Sequence, residues 1–196
     1  MIMYKMGTLV LVDVSSLIYR AFFTLKPDKF KRRSDSKANN AVYGVCTMML
    51  RLIKDMGNPV TVVACMDSKT CTKARGNISD TYKASRPRCP SELAHQFVWI
   101  REMFVAMGIS AVEVENYEAD DIISTLCKRH SPDFDRVVIA SPDKDMNQLV
   151  GNNIVIYDGR KRQYIDSASI YEKYGVHPRD FAMYQSILGD KVDDVA

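Results

Sequence analysis

Cysteine is sparse and does not pair by pattern: the five residues, at positions 46, 65, 71, 89 and 127, contain no C-x-x-C. An odd count with such spacing excludes a disulfide framework. Only three histidines are present, and a zinc site drawn from Cys65, Cys71, Cys89 and His95 fits no closed four-ligand spacing. Free cysteines of this kind serve as small core hydrophobes. Long apolar runs are missing too: the stretches at 9–12 and 60–66 are far shorter than the roughly 18 residues a membrane helix needs. Lys5 and the short LVLV run cut by Asp13 do not make a signal peptide, because the apolar part is too short and no small-residue cleavage site follows. The expectation is a cytoplasmic protein with no membrane partner. Neither an internal repeat nor a low-complexity tract interrupts the chain.

What is there is ordinary in bulk and uneven in distribution. The 196 residues are 46% hydrophobic and 26% charged, enough for one well-packed domain. The net charge of +3 hides an asymmetry: residues 1–88 hold 16 Lys and Arg against 6 Asp and Glu, whereas residues 89–196 hold 11 against 18. Such a split points to one part that meets a polyanion and another that gathers acids.

Apolar runs at 8–13, 60–67, 110–114, 136–141 and 153–157 read as strands. Helix-period segments lie between them at 15–24, 40–56, 91–107 and 118–130, with a short one near 145–150. Pro90, Ser91 and Glu92 supply helix-start chemistry, and Gly57 and Gly108 close two helices. Regular alternation of strand and helix predicts an α/β fold with a doubly wound, mostly parallel sheet. After 157 a GRKRQ hairpin and two short helices, near 166–174 and 178–188, complete the chain. Two polar, basic stretches, 25–39 and 68–90, are too long for plain connections.

Acids stand at the strand ends with unusual regularity. Asp13 closes the first strand and Asp67 the second; Glu118, Asp120 and Asp121 follow the third; Asp143 and Asp145 follow the fourth. Ligands of an open parallel sheet bind outside the carboxyl ends of its strands, so these acids share one rim. Asp143 and Asp145 point the same way if their segment stays extended. Crowded carboxylates repel unless cations neutralise them, and an all-oxygen donor set suits hard divalent ions, Mg²⁺ or Mn²⁺. A carboxylate rim holding two ions matches the arrangement that hydrolyses phosphodiesters. Each acid also has a plainer use: Asp caps helices, Asp145 with Gln148 fits a capping box, and acids near 118–121 favour a helix dipole. The basic stretches supply the complement, with Arg20 and the cations of 26–37 after the first strand and Lys69, Lys73, Arg75, Lys83, Arg86 and Arg88 after the second. They hold phosphates, with Tyr82 placed to stack on a base, or they are mobile linkers.

The ordered motifs LVDVSSLIYRAFF (11–23), NAVYGV (40–45), MD (66–67), YKASRP (82–87), NYEADDII (116–123), SPDKDMNQL (141–149), EKYGVHP (172–178) and ILGDKVDD (187–194) carry a resemblance over essentially the whole chain. The sequence resembles the 5′-nuclease domain of bacterial DNA polymerase I, within the flap endonuclease superfamily. The resemblance implies a PIN-like 5′-nuclease core with basic loops over the active-site rim. It implies metal coordination by Asp13, Asp67, Glu118, Asp120, Asp121, Asp143 and Asp145, completed by Asp190 and Asp193. Lys83 and Arg86 match basic residues at the scissile phosphate, and Arg20, Arg75 and Tyr82 match residues that steer or position DNA. The implied activity is Mg²⁺-dependent 5′-3′ exonuclease and flap endonuclease cleavage of DNA at 5′ ends, nicks and flaps, with two or more ions and no organic cofactor. The rivals are a non-catalytic DNA-binding module and a related metal-dependent ribonuclease.

Three departures from the family pattern bear on this. Asp194 replaces the usual Asn of GD-x-x-DN, and the chain stops at Ala196, before the helix-hairpin-helix clamp. The stretch from Asp67 to Tyr82 is one residue longer than the common spacing, and 25–39 lacks the usual glycine. The expectation is a single core domain over 1–196, monomeric, cut from a longer protein that carries polymerase domains.

Overall fold

The apolar run that begins near residue 8 is strand β1 (Met6–Asp13), placed at the centre of a six-stranded sheet. The computed structural model describes residues 6–57, 60–71, 83 and 89–189. Around β1 lie β2 (Val60–Met66), β3 (Ser110–Glu113), β4 (Phe134–Ala140), β5 (Ile154–Asp158) and β6 (Gln163–Ile165), in the order β3-β2-β1-β4-β5-β6. All pairings are parallel except β5 with β6, the hairpin closed by the GRKRQ turn. Leu11 stands in register with Val63 on one side and Ile139 on the other.

Side chains alternate across a strand, so β1 feeds two cores. Val10 and Val12 join Ala64, Met66 and Val138 beneath helices α1 (Val14–Thr24), α2 (Asn40–Met56) and α4 (Gln96–Ala106). Leu9 and Leu11 join Val137, Ile139 and Ile156 beneath α5 (Ala119–His130), α6 (Ser167–Tyr174) and α7 (Phe181–Leu188). That two-sided burial is why the strands read as continuous apolar runs. Among the described residues no helix is long and apolar enough to cross a membrane.

The helix expected over 91–107 is broken at His95 into α3 (Ser91–Ala94) and α4. His95 keeps helical dihedrals, φ −74° and ψ −22°, and the side chains at this junction reach other elements. His95 Nε2 lies 2.9 Å from the Ala38 carbonyl, and Gln96 Oε1 accepts from Ala41 N–H at 2.8 Å while its amide donates to Asn40 Oδ1. Asn40 in turn donates to the Phe22 and Leu25 carbonyls, satisfying the end of α1. The 25–39 stretch is ordered: a 3₁₀ turn (Pro27–Lys29), a bridge between Lys31 and Ala38, and Arg32 stacked 4.3 Å from the Trp99 ring. Asp35 holds Arg32, so part of the basic charge here is committed within the loop.

Helices α1 and α2 approach so closely that a Cβ on Gly44 would lie 2.5 Å from Ala21 Cβ and 3.0 Å from Leu25 Cδ1. Gly44→Ala is therefore expected to destabilise the fold by about 1–3 kcal/mol despite its better helix propensity, measured by urea unfolding, because the helices must separate.

Candidate active site

The rim acids among the described residues sit at or beyond the carboxyl ends of strands, and hydrogen bonds hold Asp13, Asp67, Asp121, Asp143 and Asp145. Asp13 ends β1 and caps α1: Ser16 N–H donates to Oδ1 at 3.1 Å and Ser16 Oγ to Oδ2 at 2.6 Å. Ser141, just after β4, donates its hydroxyl to the same Asp13 Oδ2 at 2.8 Å and accepts from Asp143 N–H at 3.1 Å. Asp67, just after β2, accepts the first amide of α5, from Ala119, at 2.7 Å, and its own N–H donates to Ser15 Oγ. Glu118 caps α5 and forms a capping box with Asp121, whose Oδ2 accepts from Glu118 N–H at 3.0 Å. The sheet thus draws together acids that are up to 132 positions apart in sequence, from Asp13 to Asp145.

The short helix expected near 145–150 is present: residues Lys144–Leu149 form a 3₁₀ helix capped by Asp143, whose Oδ1 accepts from Asp145 N–H at 2.9 Å, so the extended condition for Asp143 and Asp145 to point the same way is not met. Asp145 does not box with Gln148, whose amide instead donates to the Asp145 carbonyl. The Asp145 carboxylate accepts from Gln185 of α7, which ties that helix to the rim.

Electrostatics decide what this cluster can hold. Burial, then the negative charges of Asp13, Asp143, Asp67 and Glu118, push the Asp120 carboxyl from an ordinary 3.8 up to about 8. Asp13 is also raised: desolvation outweighs the hydrogen bonds from Ser16 and Ser141, with Asp67 adding to the rise. Among the described residues no three of these groups are drawn to metal-ligand spacing. The donor set is all oxygen, which fits hard divalent ions, and Asp13, Asp67, Glu118, Asp120, Asp121, Asp143 and Asp145 are the groups that could hold them.

Cations and an aromatic flank the acids. Lys83 Nζ lies 2.7 Å from Glu118 Oε1. Arg20 and Arg51 line a cavity of about 100 Å³ that touches the rim through Ser16 and Ser141. A larger cavity, of about 640 Å³, is lined by Ser15, Tyr19, Asp67, Lys69 and Arg101, among others. Arg75, Tyr82, Arg86, Asp190 and Asp193 lie outside the described residues. Sequence reasoning missed Ser15, Ser16, Ser141, Tyr19, Arg51, Arg101 and Gln185. The serines beside Asp13 and in SPD carried a signal, since hydroxyls next to strand-end acids orient them; Gln185 and Arg101 carried none, because only folding brings them near.

A model of the family described as 5'-3' exonuclease, N-terminal resolvase-like domain, matches residues 8–175. The chain is similar to a 5'-3' exonuclease of Aquifex aeolicus, 38% identical over 192 residues that cover 97% of this chain and 64% of that protein. It is also similar to DNA polymerase I of Rhizobium leguminosarum, 37% identical over 198 residues covering 98% of this chain and 19% of that protein. The chain therefore spans just under two thirds of the first relative and about a fifth of the second. In fold it is similar to the flap endonuclease of bacteriophage T5 solved with DNA and metal ions, with a TM-score of 0.67, 20% identity, and coverage of 95% of this chain and 68% of that one.

The raised Asp120 pKa sets a pH dependence. Between about 4 and about 8 the native carboxyl keeps a proton that the unfolded chain has released, so stability falls as pH rises through that window and levels off above it. In EDTA, Asp120→Asn is expected to raise the melting temperature at pH 8 by several degrees, at about 2–4 °C per kcal/mol for a chain of this size. The gain should vanish near pH 4, which thermal scans at the two pH values would check.

Proposed function

The chain belongs to the 5'-3' exonuclease N-terminal resolvase-like family, and on that premise we propose that it is a divalent-metal-dependent nuclease. Its substrate is DNA with 5′ ends, nicks or flaps, cut in 5′-3′ exonuclease and flap endonuclease modes. The observation that carries the reading is Asp120 set among four other carboxylates at the carboxyl edge of a parallel sheet. Such charge density is useful to an enzyme that must gather cations before it approaches a polyanion.

Mg²⁺ is the expected ion, with Mn²⁺ as a substitute, since both prefer oxygen ligands. When bound, such ions supply Lewis acidity at the scissile phosphate and activate water. Asp13, Asp67, Glu118, Asp120, Asp121, Asp143 and Asp145 are the residues that would hold them. By family resemblance Asp190 and Asp193 complete the set. Ser16, Ser141 and Gln185 orient the carboxylates by donating to them. Lys83 and Arg86 are proposed at the phosphate undergoing attack, and Arg20 and Arg75 along the strand. Tyr82 and the exposed Tyr19 offer rings on which bases stack.

In the reaction, water adds its oxygen to phosphorus and the bond from phosphorus to the 3′ oxygen breaks. The water's proton ends on that oxygen, leaving a 5′-phosphate and a 3′-hydroxyl. Contacts confined to phosphates and unpaired bases select structure rather than sequence. The chain's likeness to DNA polymerase I supports a place in replication and repair beside polymerase domains; a cytoplasmic monomer with one nuclease core is part of the same proposal.

Cleavage of a 5′-labelled DNA flap tests the reading. Product is expected with Mg²⁺, none with EDTA, and Asp143→Asn should cut the rate by about a hundredfold or more, since loss of a ligand's partner alone costs about 10- to 100-fold. Tight flap binding without metal-dependent product would make the chain a DNA-binding module. Equal cutting of an RNA flap would make it a ribonuclease.

A further inference from the structure

Glu118 is held twice over. Its cap on α5 is complete, with the reciprocal box to Asp121 in place, yet Lys83 also sets its ammonium 2.7 Å from Glu118 Oε1. The Lys83 side chain is 10% exposed and that of Glu118 5%. A buried pair of this kind has surrendered the hydration of both charges, so it needs a reason beyond surface attraction. The cap does not supply one, since the capping box with Asp121 already orients the glutamate.

The surrounding charge does. Glu118 stands with Asp67, Asp120 and Asp121 at one edge of the sheet, where each added negative charge raises the energy of the rest. An ammonium is a compact point charge on a flexible stem, able to neutralise one carboxylate and then leave it. A divalent ion carries twice the charge and takes oxygens from several carboxylates at once, so it outcompetes a single ammonium for the same oxygen. Both side chains make further contacts, so the exchange concerns this one link within a wider set. The backbone at Lys83 is left-handed, with φ at 52°, a conformation that a residue with a side chain keeps only when its contacts hold it there.

We infer that Lys83 is a resident cation of the acidic rim: it neutralises Glu118 until a divalent ion takes that oxygen, and the exchange frees its ammonium for the phosphate to be cut. This rests on the nuclease reading and adds an order of events, in which metal arrival prepares the phosphate contact.

The test uses the full chain without DNA. Lysines of the wild type are acetylated with acetic anhydride in EDTA and in saturating Mn²⁺, and mass spectrometry follows Lys83 with the exposed Lys128 as internal reference. Lys83 is expected to react at least about tenfold faster with the ion present, and Lys128 equally in both. In parallel, calorimetry should find Mn²⁺ bound about tenfold more tightly by Lys83→Met, the worth of one charge-assisted hydrogen bond no longer opposing it. Acetylation of Lys83 unchanged by Mn²⁺, or binding by Lys83→Met that is unchanged or weaker, overturns the exchange. If Lys83 stays protected while flaps are still cut, the exchange fails and the nuclease reading stands. If Mn²⁺ exposes Lys83 while no flap is cut, the exchange stands and the nuclease reading fails.

Discussion

Repulsion among carboxylates at one edge of the sheet is the constraint around which this molecule is organised. Folding takes Asp120 partly out of water and sets it among Asp13, Asp143, Asp67 and Glu118, so that burial first and their charges second push its carboxyl up to about 8. Such a cluster opposes folding unless something compensates. The compensations are visible residue by residue: hydroxyls of Ser16 and Ser141 on Asp13, backbone amides on Asp67 and Asp143, and the Lys83 ammonium on Glu118.

The scaffold bears that load because β1 is buried on both faces and paired on both sides. Val10 and Val12 face one core while Leu9 and Leu11 face the other, so a shift of β1 would disturb both at once. On the α1 and α2 side the position is tightened by Gly44 against Ala21 and by the buried Asn40 and Gln96 amides, which satisfy backbone groups at helix ends. Asp13 is therefore presented from the least movable strand of the sheet, as a preorganised site requires.

The two readings of the acids, as helix caps and as a cation rim, turn out to describe the same atoms. Asp13 caps α1, Asp143 caps the 3₁₀ turn, and Glu118 with Asp121 boxes α5, all while converging on one edge. Capping uses some of the oxygen lone pairs and sets the orientation of each carboxylate. Since a carboxylate offers about four acceptor positions, the remaining ones stay available to a cation. An acid that caps a helix at the carboxyl end of a parallel strand thus serves both roles without conflict.

The alternation of apolar runs and helix-period segments in the sequence already determined the parallel α/β class, because burial on both sheet faces leaves an apolar imprint on the inner strands β1, β2 and β4. The acids at the strand ends were legible for the same reason, since their place in the chain is their place on the sheet. Other features had no local imprint. At the junction of α3 and α4, Gln96 and His95 find amide and carbonyl partners 55 and 57 residues away. Gln185 on Asp145 and Lys83 on Glu118 join positions 40 and 35 residues apart. Periodicity and end signals belong to single elements, so a sequence records them directly. Pairings between elements, and the proton affinity of a group such as Asp120, depend on distances and burial that exist only once the sheet has brought its strand ends together.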